Sequence, residues 1–106
     1  MTKHFKVTAR ILPDSIPFTL KEQEAKTLVT LNNLRNQGVT VFDFQGGVGY
    51  RLAAYVHTLA KRRFLKIEMM REKHDGGWHG RWFLKSEIEI IAIDDPNLPQ
   101  GDRRVA

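Results

Sequence analysis

Basic and hydroxyl side chains dominate the polar positions between residues 50 and 63 of this 106-residue chain. Arginine can pair with two acceptors on a guanine edge, and all four of the residue types involved can donate hydrogen bonds to phosphate oxygens. On one outer helix face, such a set can contact the bases and the backbone of a nucleic acid. The candidate residues are Tyr50, Arg51, Tyr55, Thr58, Lys61 and Arg62.

Each of these side chains also has a purely structural interpretation, which the sequence leaves open. Arg51 is then an ordinary solvated helix charge. Tyr55 is then buried against a following hairpin. Lys61 and Arg62 are then explained by their favourable interaction with the dipole at a helix C-terminus.

A second set of candidate residues flanks a glycine-rich turn. Asp75, Gly76 and Gly77 are a strong turn signal, because hairpin turns favour these residue types where φ is positive. A glycine tip lets a phosphate backbone approach closely. Trp78 either stacks on a sugar or an unpaired base or packs over the neighbouring strand. The predicted contact residues of this set are Lys73, His74, Gly76, Gly77, Trp78, His79 and Arg81.

Positive charge is concentrated on these two sets of residues. The chain has a formal net charge of +5, but residues 51–85 alone hold nine basic and three acidic side chains, a net charge of +6. Residues 86–106 have a net charge of −3. Because phosphate neutralisation supplies most of the sequence-independent affinity for nucleic acid, this asymmetry favours a polyanion-binding face. The alternative is a solvated helix face beside ordinary hairpin charges.

Other kinds of chemistry have little support in the sequence. There is no cysteine, which excludes disulfides, thiolate metal sites and cysteine nucleophiles. His74, Asp75 and His79 lack a fourth ligand, so no metal site and no cofactor is predicted. Ser15 and Ser86 have no convincing histidine partner, so no enzymatic activity is expected. No apolar run approaches the ~20 residues that span a bilayer and no signal peptide is visible, so the predicted location is cytoplasmic.

Several elements must position the two candidate sets. Apolar residues alternate from His4 to Leu12, which predicts a half-buried strand. Thr19 and Glu22 have capping-box spacing, so we expect a first helix to begin there and to end near Gly38. Its apolar stripe comprises Leu20, Ala25, Leu28, Leu31 and Leu34.

The segment that follows predicts two further helices. Thr40 and Asp43 repeat the cap spacing, so residues 41–45 form either a brief second helix or a strand. The glycine-rich residues 46–49 suit a turn between two helices. A third helix is predicted from about Tyr50 to Arg63. Its inward side chains are Leu52, Val56, Leu59 and Ala60.

The last third of the chain predicts strands. If residues 75 and 76 form the hairpin turn, Met69 lies opposite Trp82 and the apolar side chains share one face. Residues 87–93 predict a further strand that is apolar on both sides near its end. The chain is long enough for one core, so we predict a single domain over residues 1–94, with a core at about 18–85. Strands at 4–12 and 87–93 flank this core, and residues 95–106 are a flexible tail.

The segment from about Phe18 to Leu84 resembles the small winged helix-turn-helix domains of bacterial and prophage proteins. The matching features are Gly38-Val-Thr40, Arg51-Leu-Ala-Ala54, His57-Thr-Leu-Ala-Lys-Arg-Arg63 and the Gly-Gly hairpin. The resemblance implies an α+β fold with three helices and a β-hairpin wing, here with additional N- and C-terminal strands. In such families the third helix contacts DNA bases and the wing contacts the backbone, so the two candidate sets inherit those roles.

Charge and resemblance together predict a protein that binds double-stranded DNA, sequence-specifically or generally, as a small regulator or accessory protein of a prophage or mobile element. The alternative is a protein interaction module that uses the flanking strands to bind a partner or to form a homodimer. Charge on the third helix and hairpin favours DNA. The two-sided apolar strand at 88–93 favours the partner.

Overall fold

A computed structural model describes residues 5–44 and 47–95, and for residues 47–50 and His74 it describes the backbone alone. Two α-helices pack against antiparallel strands, as the predicted α+β class requires. The elements are β1 (Lys6–Ile11), β2 (Phe18–Lys21), α1 (Glu22–Asn33), a 3-10 turn (Val41–Asp43), α2 (Gly47–Arg63), β3 (Ile67–His74), β4 (Gly77–Leu84) and β5 (Ile88–Asp94). The predicted tail beyond Asp95 and the turn residue Gly46 lie outside the described residues.

The first sheet has the strand order β2-β1-β5, with both pairings antiparallel. The alternation predicted for the first strand is confirmed, because Val7 and Ala9 are fully buried. The strand β2 was not predicted. It pairs with β1 from Lys6–Lys21 to Ala9–Phe18, so the central strand of the sheet is β1.

A β-bulge in β5 explains why this strand is apolar on both sides. Ala9 pairs with Ile90 and Thr8 pairs with Ala92, so Ile91 is the extra residue. One inserted residue reverses the side on which all later side chains lie. Ile93 therefore returns to the face of Ile90 and pairs with Val7 in the core.

The predicted capping box at the start of the first helix is wrong. Thr19 lies within β2, where its hydroxyl is 3.1 Å from the hydroxyl of Thr8, and the N-cap of α1 is Lys21. The backbone of residues 18–21 pairs with β1 and therefore does not form the first turn of the helix. The stripe on α1 is confirmed at three buried positions, Ala25, Leu28 and Leu31.

The prediction of three helices is also wrong, because the second is only a 3-10 turn. Its capping box forms: the Thr40 hydroxyl accepts from the Phe42 N–H at 3.2 Å, and the Asp43 carboxylate accepts from the Thr40 N–H at 2.7 Å. The turn stops because Phe44 is extended, with φ −121° and ψ 153°. Valine and phenylalanine are weak helix formers, so capping alone does not propagate a helix.

The predicted turn between the helices is instead the first turn of α2, which includes Gly47 and Gly49. Arg51 has non-helical angles, φ −121° and ψ 18°, and separates this turn from the regular helix that follows. The predicted start near Tyr50 thus coincides with a kink.

The predicted hairpin is confirmed. Residues 75 and 76 form the turn, and Met69 pairs with Trp82. Val39 joins the hairpin through an isolated β-bridge, because it exchanges two backbone hydrogen bonds of 2.8 Å with Trp82. The helices and both sheets share one core, whose largest fully buried side chains are Leu28, Leu31, Leu52, Leu59, Leu84, Val7 and Val39. Within the described residues, neither helix has the length and hydrophobicity to cross a membrane.

Candidate nucleic-acid interface

The helix α2 has one buried side and one basic side. Leu52, Val56 and Leu59 lie in the core at helical spacing. The opposite side, which we call the α2 outer face, comprises Arg51, Ala54, Thr58, Lys61 and Arg62. Thr58 is half-buried and the other four are exposed. From Gly47 to Arg63 the helix has four basic residues and no acidic one, so nothing on α2 neutralises this face.

The N-terminal part of the α2 outer face is accessible, because the side chains beside Arg51 are short. Arg51 stands at the kink and is exposed, and the methyl groups of Ala53 and Ala54 are exposed beside it. Small side chains let a neighbouring molecule approach the helix backbone, and an alanine methyl can contact the methyl group of thymine. Tyr55 is half-buried at the border of the α2 outer face. Its two predicted roles, DNA contact and packing against the hairpin, stay predictions. The side chain of Tyr50 lies outside the described residues.

The register of the β3–β4 hairpin sorts its side chains onto two faces. Ile67 and Leu84 lie at the core end of one face. Further along that same face, cross-strand pairing and strand alternation place Arg71, Lys73 and Trp78 near the tip. Arg71 and Lys73 are exposed, and both stand on the side of the hairpin from which the core-facing side chains project.

Trp78 packs against a side chain of the neighbouring strand, which is one of its two predicted roles; stacking on a nucleic acid stays a prediction. Its ring packs beneath the Arg71 guanidinium, with the guanidinium carbon 4.3 Å from the ring centre, and 53% of the residue is still exposed. Such a cation–π contact orders both side chains at the surface. Gly80 lies on the same face, where an added Cβ atom would come within 2.9 Å of the Trp82 ring and 3.2 Å of Met69 Cγ. Glycine is therefore required here for Trp82 to pack.

Arg81 and His79 lie on the other face of the hairpin, in a polar cluster centred on Glu72. Arg81 donates two hydrogen bonds to the Glu72 carboxylate, from Nε at 2.6 Å and from Nη2 at 3.0 Å. Its Nη1 donates to the carbonyl of Gln37 at 3.0 Å. His79 Nε2 is 2.9 Å from Glu72 Oε1 and its ring meets Phe42 edge-on. Arg81 thus fastens the hairpin to the loop after α1, so this predicted DNA-contact residue also has a structural role.

A family model described as a winged helix domain matches residues 17–94. The chain belongs to the winged helix family. The β3–β4 hairpin is the wing of this winged helix domain, and α2 follows the short 3-10 turn as its last helix. Comparison with curated proteins gave no match, and neither did comparison with solved structures. The winged helix fold is one that binds DNA in general.

One basic residue of the wing was missing from the sequence-based set. Arg71 lies two residues before Lys73, and strand alternation puts both on one face. That alternation is visible in the sequence and was the available signal. The side chain of His74 lies outside the described residues, and the turn residues Gly76 and Gly77 are exposed at the tip. Across the described part of the winged helix domain, no three histidine, cysteine or acidic side chains are grouped as metal ligands.

The Glu72 cluster predicts a pH dependence of stability. The hydrogen bond from Arg81 holds the pKa of Glu72 below its ordinary value of 4.5, and the same bond raises the pKa of Arg81. A carboxyl group whose pKa is lower in the folded state stabilises the fold above its unfolded pKa, and this contribution is lost as the pH falls through the folded pKa. We expect Glu72→Gln to lower Tm near neutral pH and to have a progressively smaller effect as the pH falls below 4.5.

Thermal melts of the Glu72→Gln variant and the wild type, from neutral pH to below pH 4.5, measure the difference in Tm. Glu68→Gln is the matched control, because Glu68 is exposed on the same strand and the same face. That variant should leave Tm nearly unchanged, since exposed charges contribute little to stability. A Glu72→Gln effect that is equal at all pH values would contradict the assigned role of the ion pair.

Proposed function

We propose that this protein binds double-stranded DNA through the α2 outer face and the wing, without catalysing a reaction. The observation that supports this most strongly is the acid-free helix α2, which exposes Arg51, Lys61 and Arg62 on one side. The wing exposes two further cations near its tip, Arg71 and Lys73. A small cytoplasmic regulator or accessory protein of a prophage or other mobile element is the role that we propose for it.

The dimensions of the two partners support this arrangement. An α-helix with its side chains is about 10–12 Å across, and the major groove of B-DNA is about 12 Å wide. Residues in the N-terminal part of such a helix contact base edges. Arg51 and Ala54 occupy that part of the α2 outer face. Lys61 and Arg62, ten and eleven positions after Arg51, are the residues that we propose for contacts with the phosphate backbone.

The alternative, partner binding through the flanking strands, has less support. Its main evidence was the apolar residues on both sides of β5, and the bulge at Ile91 accounts for these. The edge strand β5 also includes the exposed acids Glu89 and Asp94. Bulges and charged residues are features by which edge strands avoid pairing with other chains.

The test is a salt titration with a labelled random duplex. Five exposed cations, three on α2 and two on the wing, each neutralise about one phosphate charge and so contribute about 0.9 to the slope of log affinity against log salt. Raising salt from about 50 mM to about 200 mM should then weaken binding roughly 500-fold. If no binding occurs even at the lower salt concentration, the DNA-binding function is excluded.

The wing makes a separate prediction. Replacing Arg71 and Lys73 together with glutamine should weaken binding roughly 60-fold at about 0.1 M salt and make the slope shallower by about 1.8. The loss should be similar on every duplex sequence, because phosphate contacts do not distinguish bases. The same charge is removed in the control, Lys66→Gln with Lys85→Gln, at the opposite end of the hairpin. If both double variants lose the same affinity, the wing tip does not contact DNA.

A further inference from the structure

An open apolar groove of about 750 Å³ lies between the β1–β2 loop and the end of α2. The loop contributes residues 12–17 and the helix end contributes Arg62, Arg63 and Phe64. Three of its large apolar side chains are exposed to solvent: Leu12 at 39%, Ile16 at 85% and Phe64 at 82%. Isolated surface apolar residues are ordinary, but a cluster of them around one groove marks an interaction surface.

Phe64 is unfavourable in this position on two counts. It has φ +60°, in the left-handed region where residues other than glycine are strained. Glycine is the usual residue after a helix end with this geometry. A large aromatic side chain there is strained and also exposed, so it contributes little to the stability of a single chain. Backbone outliers of this kind are concentrated at functional positions.

The charges at the groove are self-complementary. Asp14 on the loop is negative, and Arg62 and Arg63 on the helix end are positive. Within the described residues, neither Asp14 nor Arg63 forms an ion pair with another side chain. The Arg63 guanidinium instead lies over the Phe18 ring, 5.5 Å from its centre, at the floor of the groove.

We infer that this groove is a homodimer interface, with a second copy of the chain as its occupant. A two-fold axis along the groove places the loop of each copy against the helix end of the other. Asp14 of one copy then faces Arg63 of the other, twice, on either side of an apolar centre made by Phe64 and Ile16. Most of the loop, residues 12–16, precedes the part of the chain that matches the winged helix family, whereas the helix end, residues 62–64, lies within it.

The test uses charge reversal and mixing. Asp14→Arg and Arg63→Asp should each be monomeric by sedimentation equilibrium at micromolar concentrations where the wild type is a dimer. An equimolar mixture of the two variants should dimerise, because both ion pairs are restored across a two-fold interface. Arg63 is used rather than Arg62, since Arg62 also belongs to the α2 outer face.

A second variant separates the interface from the fold. Phe64→Gly should be monomeric, yet its Tm at low concentration, where the wild type is also monomeric, should be unchanged or higher by about 2–5 °C because the backbone strain is relieved. A wild type that stays monomeric overturns the inference. Single variants that still dimerise also overturn it, because the interface would then lie elsewhere. A mixture that stays monomeric while both variants are folded overturns it as well. The readout is mass in solution, so its outcome does not depend on DNA binding.

Discussion

Replacing Arg51, Lys61 and Arg62 together with glutamine should reduce affinity for duplex DNA by several hundredfold at about 0.1 M salt, and the salt slope should become shallower by about 2.7. The reason is that three exposed cations are removed from a helix that has no acidic residue. The melting temperature should change little, since exposed charges contribute little to stability. Fluorescence anisotropy with a labelled duplex at several salt concentrations measures both quantities.

The matched control removes the same charge from another part of the molecule. Lys6, Lys21 and Lys26 lie on β1, β2 and α1 and belong to neither the α2 outer face nor the wing. Their replacement with glutamine should leave most of the affinity in place. Equal losses in the two triple variants would mean that net charge, rather than the α2 outer face, determines binding.

The second large effect is on stability, at Gly38. Gly38→Ala should lower the free energy of unfolding by about 2–4 kcal/mol, from left-handed strain plus overpacking. Gly38 has φ +79°, and an added Cβ atom would lie 2.7 Å from Arg81 Cγ and 2.9 Å from the Phe83 ring. The substitution therefore disturbs the side chain that fastens the wing to the loop after α1. Urea unfolding of the variant and the wild type measures the difference.

Gly76→Ala separates the two causes. Gly76 has φ +90°, but no atom lies within 4 Å of the position that its Cβ would occupy. This variant should cost only the backbone strain, about 1–2 kcal/mol. If Gly38→Ala were no more destabilising than Gly76→Ala, the close contact with Arg81 and Phe83 would have no energetic significance.

The parts of the fold that were predicted correctly depend on neighbouring residues. The hairpin register followed from the Asp75-Gly76 turn and the alternation beside it. The buried side of α2 followed from its helical period. The winged helix class was also expected from short matching segments, and the family match confirms it. In each of these cases the deciding interactions are only a few positions apart along the chain.

The errors arise where distant residues compete with a local signal. The capping spacing at Thr19 was overridden by pairing with β1, and the Thr8–Thr19 contact that replaces it spans 11 positions. The role of Arg81 was missed because the Gln37 carbonyl that it holds lies 44 positions earlier. Arg81 was therefore assigned only to the DNA-contacting tip. Arg71, which is exposed near the tip on the other face of the hairpin, was left out although the alternation along β3 already separated the two faces.

The position of β1 at the centre of its sheet has a consequence for how the domain folds. Among the described residues β1 is the first strand along the chain, but one of its two partners, β5, is the last, and the Arg10–Glu89 ion pair between them spans 79 positions. Closing so long a loop has a large entropic cost, so long-range pairings of this kind form slowly. The local β3–β4 hairpin has no such cost. We therefore expect the wing to form early and the sheet that joins the two ends of the domain to form last.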